Sequence, residues 1–389
     1  MKRLLIMSAA LLAAVQLYSQ SSIDKILSQI EENNTALQSL RSKTDAARAE
    51  NRLSNKLADP QAEFGYMWGS PSAKKNVSVS QSFAFPSLYA SKRDLQALKD
   101  NSLEMAYKAQ RLEILLTAKQ TCLETVYYNA LRNLYRRQLN SARLIAEAHK
   151  IMLDKGQTNI LEYNKAQMNL SNMRAELSRA EAEREALLSS LAAMNGGQTP
   201  VLEDSVYILP PIVQDFDLWY SSVKEENPAL SYLESRVRQA QQEVLVSRRS
   251  SLPSFSVGFA GEYVGPEKFS GVTVGLRIPL WENRGRVNVA RAEVLSAQKE
   301  LDDAALQYYM QLKMLHSKAV ALEKTVAEYG NLFSVGRGDE LLYKAYKGGE
   351  LSLLNYLLEM DYFFSAFEKK LQAEKDLALA LASLESFKL

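Results

Sequence analysis

The chain has 389 residues, with 47 Lys and Arg against 45 Asp and Glu, two histidines and one cysteine. A balance this even lacks the basic excess of a nucleic-acid surface, so no nucleic-acid partner is expected. A single cysteine excludes a disulfide framework and a thiolate metal site, while the length leaves room for two ordinary domains.

In chain order, Lys2-Arg3 precede an apolar stretch from Leu4 to Val15 and then Leu17-Tyr18-Ser19 before Gln20. This is the layout of an export signal over residues 1–19. The apolar stretch is too short to span a bilayer comfortably, and no later stretch is long and apolar enough for a transmembrane helix. From Ile23 to about Lys56 there is no Gly or Pro, and the Ala, Leu, Glu and Arg content predicts a helix. Two short strands follow, at about 60–68, with Phe64, Tyr66 and Trp68 on one side, and at about 77–86. In the second, Val77 to Phe85, large residues mostly take the odd positions and small or polar ones the even positions.

From Leu88 to about Lys155 the chain again lacks Gly and Pro, which predicts a helix on the order of 100 Å long. Gly156 breaks it, and a third helix runs to about Ala193 with Leu170, Met173, Leu177 and Ala180 at the spacing of a packed face. Residues 195–214, from Asn195-Gly196-Gly197 past Pro210-Pro211, read as a linker. The order then recurs: helix, strands at about 253–263 and 271–280, and long helices to the C-terminus. The last of these carries Phe364, Phe367, Leu371, Ala378 and Leu381 on one face. Gly336-Arg337-Gly338 predicts a kink or short loop where the first copy has the uninterrupted Arg143-Leu144-Ile145. Helices this long, apolar on one side only, pack lengthwise as coiled coils.

The recurrence has a fixed interval. Pro253 follows Pro60 by 193 residues (253 − 60), and the same interval separates Pro86 from Pro279 and Gly156 from Gly349. One large unit is therefore used twice, over residues 20–194 and 215–389. Because the interval is odd, apolar parity should swap between copies, and it does: Phe64 maps to Val257 and Val79 to Val272. The same physical face is apolar in both.

Such strands are half-buried in a soluble sheet or half-exposed to lipid. Length favours lipid, since nine to eleven residues is the reach of a transmembrane strand. Aromatics near the strand ends (Trp68, Phe85, Tyr89, Tyr263, Trp281) and a small, polar opposite face point the same way. Four strands cannot close a membrane barrel, so several chains must contribute. Two chains would give a barrel just filled by side chains; three would give twelve strands and room for a pore.

Three segments carry a resemblance to a known family: Glu226-Asn227-Pro228-Ala229-Leu230, Ile278-Pro279-Leu280-Trp281-Glu282-Asn283-Arg284-Gly285-Arg286, and Tyr346-Lys347-Gly348-Gly349-Glu350-Leu351-Ser352-Leu353-Leu354. Together, in a tandem repeat, they resemble the TolC family of outer-membrane efflux proteins over nearly the whole mature chain. The resemblance implies a mainly α fold with a small β part. It implies a homotrimer whose twelve-stranded barrel sits in outer-membrane lipid and continues as a periplasmic α-helical barrel. It further implies an exit duct of a tripartite efflux or type I secretion system, beside a periplasmic adaptor and an inner-membrane transporter. The family's adaptor-docking hairpin tips match Gly156, Gln157, Thr158 and Asn159, and Gly349, Glu350, Leu351 and Ser352. Its acidic ring at the periplasmic mouth would fall on Glu162 and Asn355, with Glu359 and Asp361 as substitutes for the non-acidic Asn355.

No catalytic constellation is visible, and neither a metal nor a cofactor site is read from the sequence. His149 and His316 are not equivalent under the repeat and read as ordinary helix residues. Cys122 reads as a small buried helix residue. The competing reading is an exported coiled-coil structural or adaptor protein whose sheet packs on its own helices and which conducts nothing.

Overall fold

The computed structural model describes residues 22–53, 55–70, 72–281, 283–334 and 338–389. The signal segment 1–19 lies outside these, as do two of the three residues of the expected kink, Gly336 and Arg337. The chain is mostly helical, at 72%, with one small antiparallel sheet. No helix among the described residues is long and apolar enough to cross a membrane.

Helix α1 covers 22–33, α2 Thr35–Leu53, α3 Pro86–Asp154, α4 Ile160–Met194, α5 Phe216–Val223 and α6 Pro228–Arg249. Helix α7 covers Arg286–Ser334, α8 Gly338–Lys347 and α9 Leu353–Leu384; strands β1 to β4 are Gln61–Met67, Lys74–Phe83, Ser254–Val264 and Glu267–Arg277. Four pairs of elements start 193 residues apart: α2 and α6, β1 and β3, β2 and β4, α4 and α9. The first pair shares its cap chemistry. Asn34 Oδ1 accepts from the Leu37 N–H, and Asn227 Oδ1 from those of Ala229 and Leu230.

The contacts divide the chain into two units. One holds Ser39–Gln110 and Val223–Tyr308, and contains the sheet in the order β1-β2-β3-β4. Cross-strand register puts Phe64 opposite Val77, Val79 opposite Phe259, Phe259 opposite Val272, and Val257 opposite Val274. Residues directly opposite share a face, so the middle of one face is apolar, with Gln81, Lys75 and Lys268 toward its ends. The other carries Ser78, Ser80, Ser256, Gly258, Ala260, Thr273 and Gly275. Small residues are required there: a Cβ on Gly258 would fall 2.6 Å from the Val79 carbonyl oxygen and 2.9 Å from Thr273 Oγ1. The apolar face is uncovered, with Phe64 69%, Val272 74% and Val274 77% exposed.

The strand limits differ from the sequence expectation. Strand β2 starts at Lys74 rather than Val77 and stops at Phe83, while β4 starts at Glu267 rather than 271. Polar residues enter the ladder because the β3–β4 hairpin turns on only Gly265-Pro266, with Gly265 at φ +55°, and draws its flanks into register. Lys74 in β2 meets Glu262 of β3 at 2.5 Å. Pro86 caps no strand; it is the first residue of α3, where its missing N–H leaves no bond unmade. Elsewhere in this unit α6 packs Val237 and Ala240 on Ala297 of α7, and Arg48 of α2 holds Glu104 of α3 at 2.5 Å.

The other unit takes the chain up to Gln38 with Arg111–Ser222 and Tyr309–Leu389. Its core is a series of apolar layers between helices. Ile26 and Ile30 of α1 pack with Leu115, Ala118 and Cys122 of α3 and Leu191 of α4. Farther along, Leu131 and Leu134 of α3 meet Ala180 of α4 and Leu371 of α9. Cys122 is fully buried, and burial pushes its thiol up to about 12, so it acts as a small apolar residue.

Residues 195–214, expected as a linker, are pinned rather than loose. Leu202 is buried in the core, and the fully buried Asn129 of α3 donates from Nδ2 to the Leu202 and Asp204 carbonyls, both at 2.9 Å. Its Oδ1 accepts from Arg184 Nε of α4. Arg132 and Arg184 both bind Glu203, and the hydrogen bond from Arg132 first among these holds that carboxyl below its usual range. Replacing Asn129→Leu removes the donor to the Leu202 and Asp204 carbonyls and the acceptor of Arg184 Nε, the first of these in a fully buried position. Chemical denaturation should show a loss of about 2–4 kcal/mol; a loss below about 0.5 kcal/mol, the range of surface substitutions, refutes this role for the amide.

Candidate functional site

Both helix-hairpin tips use one local design. After α3, Gly156 turns at φ +68°, its N–H bonds the Leu153 carbonyl, and the Gln157 N–H reaches back to the Met152 carbonyl. After α8, Gly349 turns at φ +80°, with Gly349 N–H on Tyr346 and Glu350 N–H on Ala345. These paired bonds consume the last free carbonyls of a helix, and only glycine enters the left-handed region without a Cβ penalty. The next helices are capped in matching fashion. Asn159 Oδ1 accepts from Glu162 N–H at 3.0 Å, and Ser352 Oγ from Asn355 N–H at 3.2 Å. Every one of these positions is displaced by 193 residues from its counterpart.

With their backbone bonds satisfied internally, the tips stay in water. Gly156, Gln157, Asn159, Gly349, Glu350 and Ser352 are exposed; Thr158 and Leu351 are half-buried. Apolar side chains flank them unburied: Ile160 and Leu161 on α4, Leu354 and Leu358 on α9. Below the tips, Ala142, Ile145 and Ala146 of α3 pack with Ala166 of α4 and Leu353, Tyr356 and Met360 of α9. That layer brings the two tips into one construction.

The four gate candidates do not gather at one place within the chain. Glu162 is half-buried, pairs with Lys165 at 2.9 Å, and lines an open groove of about 630 Å³ shared with Gly349, Leu351 and Ser352. Asn355 is exposed beside its cap. Glu359 lines a separate apolar groove with Phe333 and Phe363, and Asp361 a third with Tyr135 and Gln138. The cause is helical geometry: residues two apart on α9 point to nearly opposite sides, so Glu359 and Asp361 cannot share a face.

The groove at the tips holds one residue that the sequence reading treated as ordinary. His149 is buried, and its Nε2 lies 2.6 Å from the Tyr346 hydroxyl, tying α3 to α8. Tyr346 in turn packs on Tyr356 with ring centroids 4.9 Å apart. The available signal was its spacing, since Ala142, Ile145, Ala146 and His149 form one buried stripe. His316, by contrast, is half-buried and bonds the Val213 carbonyl at 2.7 Å.

No protein-family model matches the sequence, and no curated protein matches it. Solved structures do match. A membrane protein from Pseudomonas aeruginosa aligns with TM-score 0.77 and 17% identity, over 94% of this chain and 90% of that one. The CmeC outer membrane channel of Campylobacter jejuni aligns with TM-score 0.72 and 17% identity, over 94% and 85%. The outer membrane protein VceC of Vibrio cholerae aligns with TM-score 0.74 and 13% identity, over 95% of each chain. The chain has the fold of an outer-membrane channel protein. This is the fold that the TolC-family resemblance implies, and it extends over nearly the whole chain.

His149 supplies a pH test of the tip region. Burial above all lowers its basicity, against the opposing pull of Glu162, so the folded chain resists a proton that the unfolded chain accepts near pH 6.5. The histidine's contribution is complete above that pH and fades as pH falls below it. Thermal unfolding at about pH 7.5 and about pH 5 should show a larger loss of midpoint for the native chain than for His149→Phe. Equal losses would remove the histidine from the account.

Proposed function

We propose that this protein is the passive outer-membrane exit duct of a tripartite efflux or type I secretion system. The observation that carries the proposal is the sheet: four strands with one uncovered apolar face, one small and polar face, and free edges on β1 and β4. Water penalises that apolar face and lipid penalises those edges, so closure with strands from other copies in a bilayer meets both demands. Three copies give a twelve-stranded barrel whose lumen is lined by the serine, threonine and glycine face.

The fold shared with outer-membrane channels supports this reading, as does the tandem organisation over 20–194 and 215–389 around the segment 195–214. After removal of residues 1–19, the helices would extend the duct into the periplasm. The exposed tips, Gly156 to Asn159 and Gly349 to Ser352, with Ile160, Leu161, Leu354 and Leu358 beside them, would receive the helical hairpins of a periplasmic adaptor. Glu162 and Asn355 stand at equivalent positions just inside the tips and would face the periplasmic mouth. Energy comes from the inner-membrane transporter, because the chain carries no phosphate-binding loop. The role is conduction, not catalysis.

The two sheet faces give the test. Val274→Arg on the apolar face should cost about 2–4 kcal/mol if that face meets the bilayer midplane, and abolish the heat-sensitive oligomer seen by gel mobility. Thr273→Arg, one residue away on the polar face, should leave the oligomer intact and alter single-channel conductance in planar bilayers. A native protein that cross-links only as a monomer and conducts nothing would favour the non-conducting rod instead.

A further inference from the structure

Gln138 lies on α3 between two apolar layers, 6% exposed, and its Nε2 has no hydrogen-bond partner among the described residues. A buried amide donor is costly to leave unmet. Its side chain lines an open groove of about 630 Å³ walled by α3, α4 and α9, separate from the groove at the tips. Three carboxylates line the same groove: Glu176 of α4, and Asp361 and Glu368 of α9. Only one guanidinium in the groove offsets them, Arg179, which lies 2.6 Å from Glu176. Burial raises the Glu368 carboxyl, and the charges of Glu176 and Asp361 push it in the same direction, against the Tyr135 hydroxyl bonded to it and Arg179. Amides and hydroxyls (Asn169, Asn172, Ser141, Ser365) and the rings of Tyr356 and Phe364 complete the walls.

We propose that this groove binds a cationic amino sugar. The volume is that of a small-molecule site. The carboxylates demand a cation, while the Gln138 Nε2 demands an acceptor, so the ligand must carry both. A bare alkylammonium or a metal ion offers Gln138 nothing, and no group of three metal-ligating side chains occurs among the described residues. A saccharide offers hydroxyl and ring oxygens to Gln138, Asn169 and Asn172, which can donate and accept in turn. Its ammonium meets Asp361 and Glu368, and the half-buried ring of Phe364 takes its C–H face and charge. A free amino sugar and the amino-sugar unit of a longer glycan share this chemistry.

The test is calorimetric titration of the full oligomeric protein in detergent at about pH 6, where an amine is protonated. The probe is the β-1,4-linked glucosamine disaccharide, with its N-acetylated neutral counterpart as control. The glucosamine disaccharide should bind, and the acetylated form should bind about tenfold more weakly or not at all. Gln138→Leu and Asp361→Asn should each weaken binding about tenfold. Asp361 is exposed, so its variant keeps the fold even if Gln138→Leu disturbs packing. A glucosamine hexamer that binds more tightly than the disaccharide assigns the site to a glycan chain, and equal affinity assigns it to the free sugar. No binding of disaccharide or hexamer, equal binding of the acetylated form, or unchanged affinity in Asp361→Asn overturns the proposal.

Discussion

A strand edge in hydrocarbon has no water for its N–H and C=O groups, and each unmet group costs several kcal/mol. A greasy sheet face in water carries a cost of its own, near 25 cal/mol for each Å² left wet. The four-stranded sheet of this chain has both features at once. Val272 and Val274 lie open on one face, and β1 and β4 each have a single strand neighbour. Neither environment alone accommodates a lone copy of that sheet, so the strands argue for assembly before any likeness to other structures is considered.

The hairpin tips satisfy a related constraint locally. A helix ends with free carbonyls, the next begins with free N–H groups, and a tip in water must meet both within a few residues. Gly156 and Gly349 close one side, and the Asn159 and Ser352 side chains close the other. Asparagine and serine do this equally well, which is why the two copies can differ there without differing in shape. The backbone makes no further demand, and Leu161 and Leu354 lie exposed beside the tips.

Much of this was legible in the sequence because it is local. Alternation at Val77, Val79, Val272 and Val274 follows from the two-residue period of a strand, and the tips follow from glycine and capping chemistry. What escaped depends on residues distant in the chain. Lys74 joins β2 because β3 lies alongside it, and its own polarity argues the other way. Residues 195–214 read as a linker from their Gly and Pro, yet Asn129, more than seventy residues upstream of Leu202 and Asp204, fastens them. The family resemblance placed an acidic ring on Glu162 and Asn355, with Glu359 and Asp361 as substitutes; position along a helix does not say which face a residue takes, and Glu359 and Asp361 line different grooves.

The buried polar residues of α3 divide that helix by how well they are satisfied. Asn129, nearest the pinned segment, uses both amide hydrogens and its oxygen. Gln138 leaves its amide nitrogen unbonded, and His149, nearest the tip, bonds Tyr346 through Nε2 while Nδ1 has no partner among the described residues. A fully satisfied buried network rigidifies its surroundings, whereas a partly satisfied one lowers the cost of local opening. Arg132 Nε, three residues from Asn129, is also unbonded, so the unmet groups are spread along α3 rather than gathered at the tip.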